Sequence, residues 1–304
     1  MGLFLWMSGA LASFSILAIG ARELSGELTI AQSLCIRSAI GLLFLSCVYF
    51  IQSRFFKSKR LKATSTQLPV KVIKLHLFRN LFHFIAQYGW FFGIGLLPLA
   101  EVFALEFTVP IWTLLIASFF LNEKVTKNKL LAIFLGTLGV LAIVRPGYAL
   151  IDYASIVVLG SAICFAISHT TTKSLATTES PLTILLFMCI IQLPIGLLLS
   201  LSHWVWPQGE QWLWLTVIGI SALSAHYCLA KAMQYAEVTT IITLDFFRLP
   251  LIATVGVLFY NEAFEMPLLI GGALMLVGNL IGVRDLTRKK VTIKENNTNK
   301  LLTK

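Results

Sequence analysis

Only 12% of the residues in this 304-residue chain are charged and 57% are hydrophobic, so the few ionisable groups set in apolar stretches stand out. They are Arg37, Arg79, His83, Glu106, His169, His226, Asp245 and Arg248. A charge at the centre of a bilayer costs about 2.5–3.5 kcal/mol on insertion scales, which makes such residues the first candidates for function. Glu106 and Asp245 form the best pair. Either can bind a substrate ammonium or carry a coupling proton, because a carboxyl drawn out of water favours its neutral form. The competing reading is structural: Asp245 and Arg248 are three apart on one helix face and can neutralise each other.

Arg79, His83 and Gln87 recur every four residues, and Trp90 continues the stripe. A polar stripe on a lipid-bathed helix must face protein or water. The stripe therefore reads as a cavity wall or as interhelical hydrogen bonding, with Arg79 near enough to a helix end to snorkel. His226 and Tyr227 are candidates for a second wall, and Arg37 either pairs inside a bundle or snorkels outward. His169 lies near a helix end, where interfacial solvation is the expectation. Trp6 and Phe14 are candidate lining aromatics. Pro110 and Pro250 sit inside apolar runs, where a proline kinks a helix and suits either a gate or a static bend. No HExxH, GxSxG, GxGxxG or GxxxxGK[ST] motif is present, so no catalytic residue, metal site or cofactor is expected, and energy from a gradient or exchange is expected in place of ATP.

These residues need elements to hold them. Mean hydropathy is +0.84, and a soluble domain carries about 25% charged residues. The pattern excludes a soluble domain and lacks the alternation of a membrane barrel, which leaves α-helices that satisfy their own backbone groups in lipid. Ten spans are expected: 2–20, 32–51, 75–97, 99–121, 129–145, 151–172, 181–202, 211–231, 238–260 and 267–283. The net charge of +10 does not imply nucleic acid, since the basic residues gather in the 52–74 loop, around Lys124–Lys129 and in the tail. By the positive-inside rule these segments are cytoplasmic, both termini lie inside, and the loop with Glu262 and Glu265 lies outside. The Trp204–Trp214 cluster fits an interfacial belt. The five cysteines show no CxxC spacing and read as buried, inert thiols. The first segment lacks a basic n-region and is expected to be a retained helix.

The chain repeats itself. A shift of 139 residues, the separation of Glu106 from Asp245, overlays 87–145 on the second half without a gap. Leu105-Glu106-Phe107 meets Leu244-Asp245-Phe246, and Asn122-Glu123 meets Asn261-Glu262. The first two spans match the sixth and seventh at a shift of 151, which pairs Phe14 with Phe165 and Arg22 with Lys173. Five spans per half is an odd number, so the halves have opposite orientation. The expected fold is an all-α membrane protein with ten transmembrane helices in two inverted five-helix repeats, 1–146 and 147–284, followed by a disordered basic tail, 285–304. Inverted repeats are a transporter architecture with the substrate near the midplane.

Phe107-Thr108-Val109-Pro110-Ile111-Trp112-Thr113-Leu114-Leu115 leading to Leu121-Asn122-Glu123, with Asp245-Phe246-Phe247-Arg248-Leu249-Pro250 leading to Tyr260-Asn261-Glu262, resembles the EamA-type repeat of the drug/metabolite transporter superfamily. So does Gly136-Thr137-Leu138-Gly139-Val140. The resemblance covers roughly 1–285. It implies a central cavity lined from both halves, alternating access, and an inner-membrane carrier similar to those for S-adenosylmethionine or amino acids. The partners expected are a small polar solute and the bilayer, with proton coupling or exchange. Two alternatives stay open. One is efflux of drugs or toxic metabolites. The other is a lipid flippase or a non-transporting assembly protein, which a polar stripe on a central helix disfavours.

Overall fold

In a computed structural model the described residues are 2–55, 70–144, 153–261 and, within 266–281, all but 268, 275 and 279. Every regular element among them is helical: α1 (Gly2–Glu23), α2 (Ile30–Phe55), α3 (Val70–Leu96), α4 (Leu99–Glu106), α5 (Val109–Phe120), α6 (Lys127–Val144), α7 (Tyr153–Leu175), α8 (Pro181–Ser200), α9 (Glu210–Ala232), α10 (Val238–Leu244) and α11 (Arg248–Tyr260). Helical residues continue within 266–281. Five stretches are long and apolar enough to cross a membrane: α1, 30–51 of α2, α7, 181–203 and α9. α3 has the length, at 27 residues, but its polar stripe lowers its hydropathy. Glu262, Glu265 and the tail lie outside the described residues.

The spans 99–121 and 238–260 are each interrupted near the middle. Two α-helical segments meet there through backbone that stays in the right-handed helical region, at Thr108 in the first and at Asp245 and Phe247 in the second. α4 stops at Glu106, and α5 begins with Pro110 in its first turn. Proline has no N–H, so the carbonyl of Glu106 loses its i+4 donor. Thr108 tightens the corner by donating its hydroxyl to the Leu105 carbonyl at 2.9 Å. In the second half a 3-10 turn, Asp245–Phe247, separates α10 from α11, and Pro250 is the third residue of α11. Each proline thus lies in the first turn after the interruption.

The repeat is visible in the geometry. Asn122 and Asn261, paired by the 139-residue shift, both hold φ at 52° at the ends of α5 and α11. Arg22 and Lys173, paired by the 151-residue shift, do the same job. Arg22 donates to the Ile94 carbonyl near the end of α3 at 2.6 Å. Lys173 donates to the Met233 and Ala236 carbonyls after α9 at 2.6 and 2.7 Å. Both satisfy carbonyls that a helix end leaves open.

Across the repeats, α1 packs on α9, α3 on α7, and α2 on α8. The pairs run antiparallel: Gly9 faces Cys228 while Gly20 faces Ile218, and Gly89 faces Ser161 while Gly93 faces Val158. α7, the equivalent of α1, thus runs opposite to α3, and the second repeat is inverted relative to the first. One end of the bundle carries Gly26 and is called the Gly26 face; the other carries Glu123. The apolar core runs through both repeats, with Phe103, Ile94, Ile184 and Leu215 fully buried. Cys35, Cys189 and Cys228 are buried as expected, whereas Cys164 is half-buried and Cys47 is exposed, which corrects the uniform burial expected of the thiols. Gly278 faces the Ala132 carbonyl of α6 closely enough that a Cβ would lie 2.8 Å from it.

A Cβ on Gly196 of α8 would lie 3.0 Å from both the Ala31 carbonyl oxygen and the Cys35 nitrogen of α2. Backbone cannot step aside as a side chain can. Gly196→Ala is expected to lower stability by about 1–3 kcal/mol in reversible detergent unfolding, whereas Gly160→Ala, with nothing within 4 Å, leaves the midpoint unchanged or higher.

Candidate functional site

The two helix breaks face each other across the repeats, and Arg248 joins them. Its Nη2 donates to Glu106 Oε1 at 2.7 Å and to Asp245 Oδ2 at 2.6 Å. The side chains are nearly enclosed, with Arg248 3%, Glu106 12% and Asp245 15% exposed. Trp90 Nε1 donates to the other Glu106 oxygen at 2.8 Å. The guanidinium sits between the rings of Phe14 and Phe103, each centroid 4.9 Å from Cζ. Charge-assisted bonds and two ring faces hold it in place. One cation against two carboxylates leaves the trio with an excess of negative charge when both acids are ionised. Both structural and functional readings of Asp245 thus contain part of the answer: it pairs with Arg248, yet the pair lines a cavity.

That cavity lies between the repeats. α1 supplies Phe14 and Leu17. α3 supplies Gln87, Trp90 and Phe91. α7 supplies Phe165 and His169, and α9 supplies His226 and Leu229. Ile242, Asp245, Glu106 and Arg248 close it at the two breaks. The lining follows the repeat: Phe14 with Phe165, Gln87 with His226, Trp90 with Leu229, and Glu106 with Asp245. Gln87 Oε1, His226 Nε2, Asp245 Oδ1 and Arg248 Nε have no hydrogen-bond partner among the described residues. Buried polar atoms left unpaired cost free energy, so they are natural contacts for a solute or its water. The space open to water centres is about 30 Å³, enough for one or two waters. The cavity is contracted around its polar wall.

A larger recess, about 230 Å³, opens on the Gly26 face between the ends of α1 and α3 and the start of α2. Phe91 lines both spaces and separates them. At the opposite end of the bundle charged groups tie the repeats together. Glu123 accepts from the backbone nitrogens of Val238 and Thr239, at 2.7 and 3.4 Å, and from the Thr239 hydroxyl at 2.8 Å. It therefore caps α10. Lys129 bridges Glu123 at 3.3 Å and Glu237 at 2.7 Å.

Behind the cavity wall is a second polar layer. The ring of His83 meets His226 edge-on with centroids 4.6 Å apart. Arg37 Nη2 donates to Gln192 Oε1 at 2.7 Å, which turns the Gln192 amide nitrogen toward His83 Nδ1 at 2.8 Å. His83 Nδ1 must then accept, so its hydrogen is on Nε2. Arg79 donates to the Thr172 hydroxyl at 3.1 Å and to Asn80 Oδ1 at 2.6 Å.

Of the residues singled out in the sequence, Glu106, Asp245, Arg248, Gln87, Trp90 and His226 meet at the cavity. Arg37, Arg79 and His83 lie one layer behind it. Arg37 and Arg79 are buried at 2% and 3% exposure, so neither snorkels. Tyr227 points away, edge-on to Trp6 at 5.7 Å. His169 lines the cavity, against the expectation of interfacial solvation. Gln192 was missed, although a lone amide in the apolar run 181–202 is a readable signal.

Residues 1–145 and 152–283 each match the profile of the EamA-like transporter family. The chain belongs to that family. It is 28% identical to a riboflavin transporter of Rhizobium johnstonii, over 94% of this chain and 92% of that one. It is 22% identical to an S-adenosylmethionine uptake transporter of Rickettsia felis, over 78% and 79%. A pseudopaline exporter of Pseudomonas aeruginosa is 24% identical over 87% and 90%. A crystal structure matches the fold with a TM-score of 0.74 at 18% identity, covering 94% of this chain and 98% of the other. Membership in the EamA-like family places the chain among integral membrane transporters rather than enzymes.

Removing one partner of a buried ion group costs about 3–5 kcal/mol because a charge is left unmet. Arg248→Met is expected to lower the unfolding free energy by that amount, since both carboxylates then face each other. Adding Glu106→Gln and Asp245→Asn to the same protein is expected to recover part of the loss. A cycle of these variants in detergent unfolding reads the coupling.

Proposed function

We propose that the chain is a secondary transporter that carries a small polar organic metabolite across the cell inner membrane by alternating access. The observation that carries this reading is the cavity at the junction of two discontinuous helices. Interrupted helices between inverted repeats put polar side chains at the depth where a solute must be held. Ten spans with both termini cytoplasmic fit the basic 52–74 loop and tail. In that orientation the recess on the Gly26 face is the outer vestibule, Phe91 is its floor, and the Glu123–Lys129–Glu237 network seals the cytoplasmic side.

The mixed lining, with two carboxylates, guanidinium, imidazole and aromatic rings, suits an amphoteric solute such as S-adenosylmethionine or an amino acid. The names of the relatives support a metabolite of that size. Two of the three are importers or general transporters and one is an exporter, so direction is open between uptake and efflux. Proton coupling through Glu106 or Asp245, or solute exchange, supplies the driving force.

Flux into proteoliposomes tests the reading. Saturable uptake of S-adenosylmethionine, riboflavin or one member of an amino-acid panel is expected, and Glu106→Gln is expected to lower it at least about tenfold, the effect of about 1.4 kcal/mol. No saturable flux for any panel member would sink it. The gate has its own readout. In a protein carrying Gln87→Cys on a cysteine-free background, Glu123→Ala is expected to raise labelling by an impermeant thiol reagent applied to the cytoplasmic side.

A further inference from the structure

Arg37 on α2 and Arg79 on α3 are both buried, and among the described residues neither is paired with a carboxylate. Arg37 has one partner, the neutral Gln192 amide, and its Nη1 has none. Arg79 is met by a hydroxyl and an amide. Isolated buried charge is costly unless it is paired. Arg248 provides the contrast within the same molecule, since two carboxylates meet it. The surroundings of Arg37 and Arg79 add donors. His83 Nε2, which carries the ring hydrogen, is unpaired, as is the Ser168 hydroxyl, one turn from Thr172 on α7. At the other side of the cavity the unpaired atoms include the acceptors Asp245 Oδ1 and Gln87 Oε1.

Positive charge with unmet donors thus lies around Arg37 and Arg79, whereas the Glu106–Arg248–Asp245 trio on the cavity carries net negative charge and unmet atoms of both kinds, Asp245 Oδ1 and Arg248 Nε. We infer that Arg37 and Arg79 form a subsite for an anionic oxygen group, a carboxylate or phosphate, of the solute that occupies the central cavity. The inference rests on the transporter reading for the word solute, and on the buried, uncompensated guanidinium groups for the subsite. A guanidinium presents a planar fork that matches carboxylate and phosphate oxygens. His83 is the side chain between the cavity and the arginines: its ring abuts His226 and Phe165 of the cavity wall on one side and reaches Arg37 through Gln192 on the other. The opposite, cationic end of an amphoteric solute then falls toward Asp245 and Glu106.

The test uses the purified full chain and needs no flux. Thermal unfolding is followed at constant ionic strength while acetate, inorganic phosphate or neutral acetamide is titrated. Acetate or phosphate is expected to raise the unfolding temperature of the wild type, acetamide is not, and the arm that acts names the group. Arg37→Gln and Arg79→Gln are expected to weaken the apparent affinity for that anion at least tenfold. If either fails to fold, Arg37→Lys and Arg79→Lys, which keep the charge and lose the fork, are expected to weaken the shift. A wild type unmoved by both anions, or a shift that survives unchanged in the folded glutamine or lysine variants, overturns the subsite. Flux without an anion shift leaves the transporter standing and removes the subsite. An anion shift without flux does the reverse.

Discussion

The structure turns on one constraint: backbone and side-chain polar groups at membrane depth must be met inside the protein. Breaking a helix there exposes carbonyls and amides that water cannot reach. This chain breaks two helices at equivalent places and puts a charged group at each break. Arg248 then ties Glu106 of the first repeat to Asp245 of the second. The ion trio is therefore part of the interface between the repeats as well as part of the cavity wall. Its contacts change whenever the repeats move, which links the polar centre to any rearrangement of the halves.

Much of this was legible in the sequence. Glu106 and Asp245 were paired by the 139-residue shift before any geometry, and they meet on one guanidinium. Phe14 and Phe165, paired by the 151-residue shift, face the same cavity. Polar matches are informative in such a chain because apolar positions are constrained mainly by lipid and vary freely among Leu, Ile, Val and Phe. Helix continuity was not legible. A hydropathy pattern reports that 99–121 is apolar and says nothing about whether the backbone stays helical. The prolines were visible, but whether Pro110 kinks a helix or begins one depends on the neighbouring repeat, which supplies Arg248 to the corner.

His169 and Gln192 show a second limit. His169 lies near the end of its helix, where solvation is the ordinary fate of an imidazole, yet the bundle is deep enough at that level for the ring to stack on Phe165 with centroids 5.8 Å apart. Gln192 carries no charge and drew no notice. Its role depends on being between two groups from other helices, Arg37 and His83. One-dimensional patterns name a polar residue but do not name its partners, and a relay residue is defined by its partners.

On the Glu123 face the repeats are tied by charge. Glu123 caps α10 and holds its start against the end of α5. Glu262, its equivalent under the 139-residue shift, lies outside the described residues. Glu237 is 29% exposed, so solvent screens its pair with Lys129, whereas Glu123 and Lys129 are each 5% exposed and the bonds of Glu123 to α10 are charge-assisted. The Glu123 cap and the Arg248 trio are therefore enclosed ionic links between the repeats, one at an end of the bundle and one at its centre.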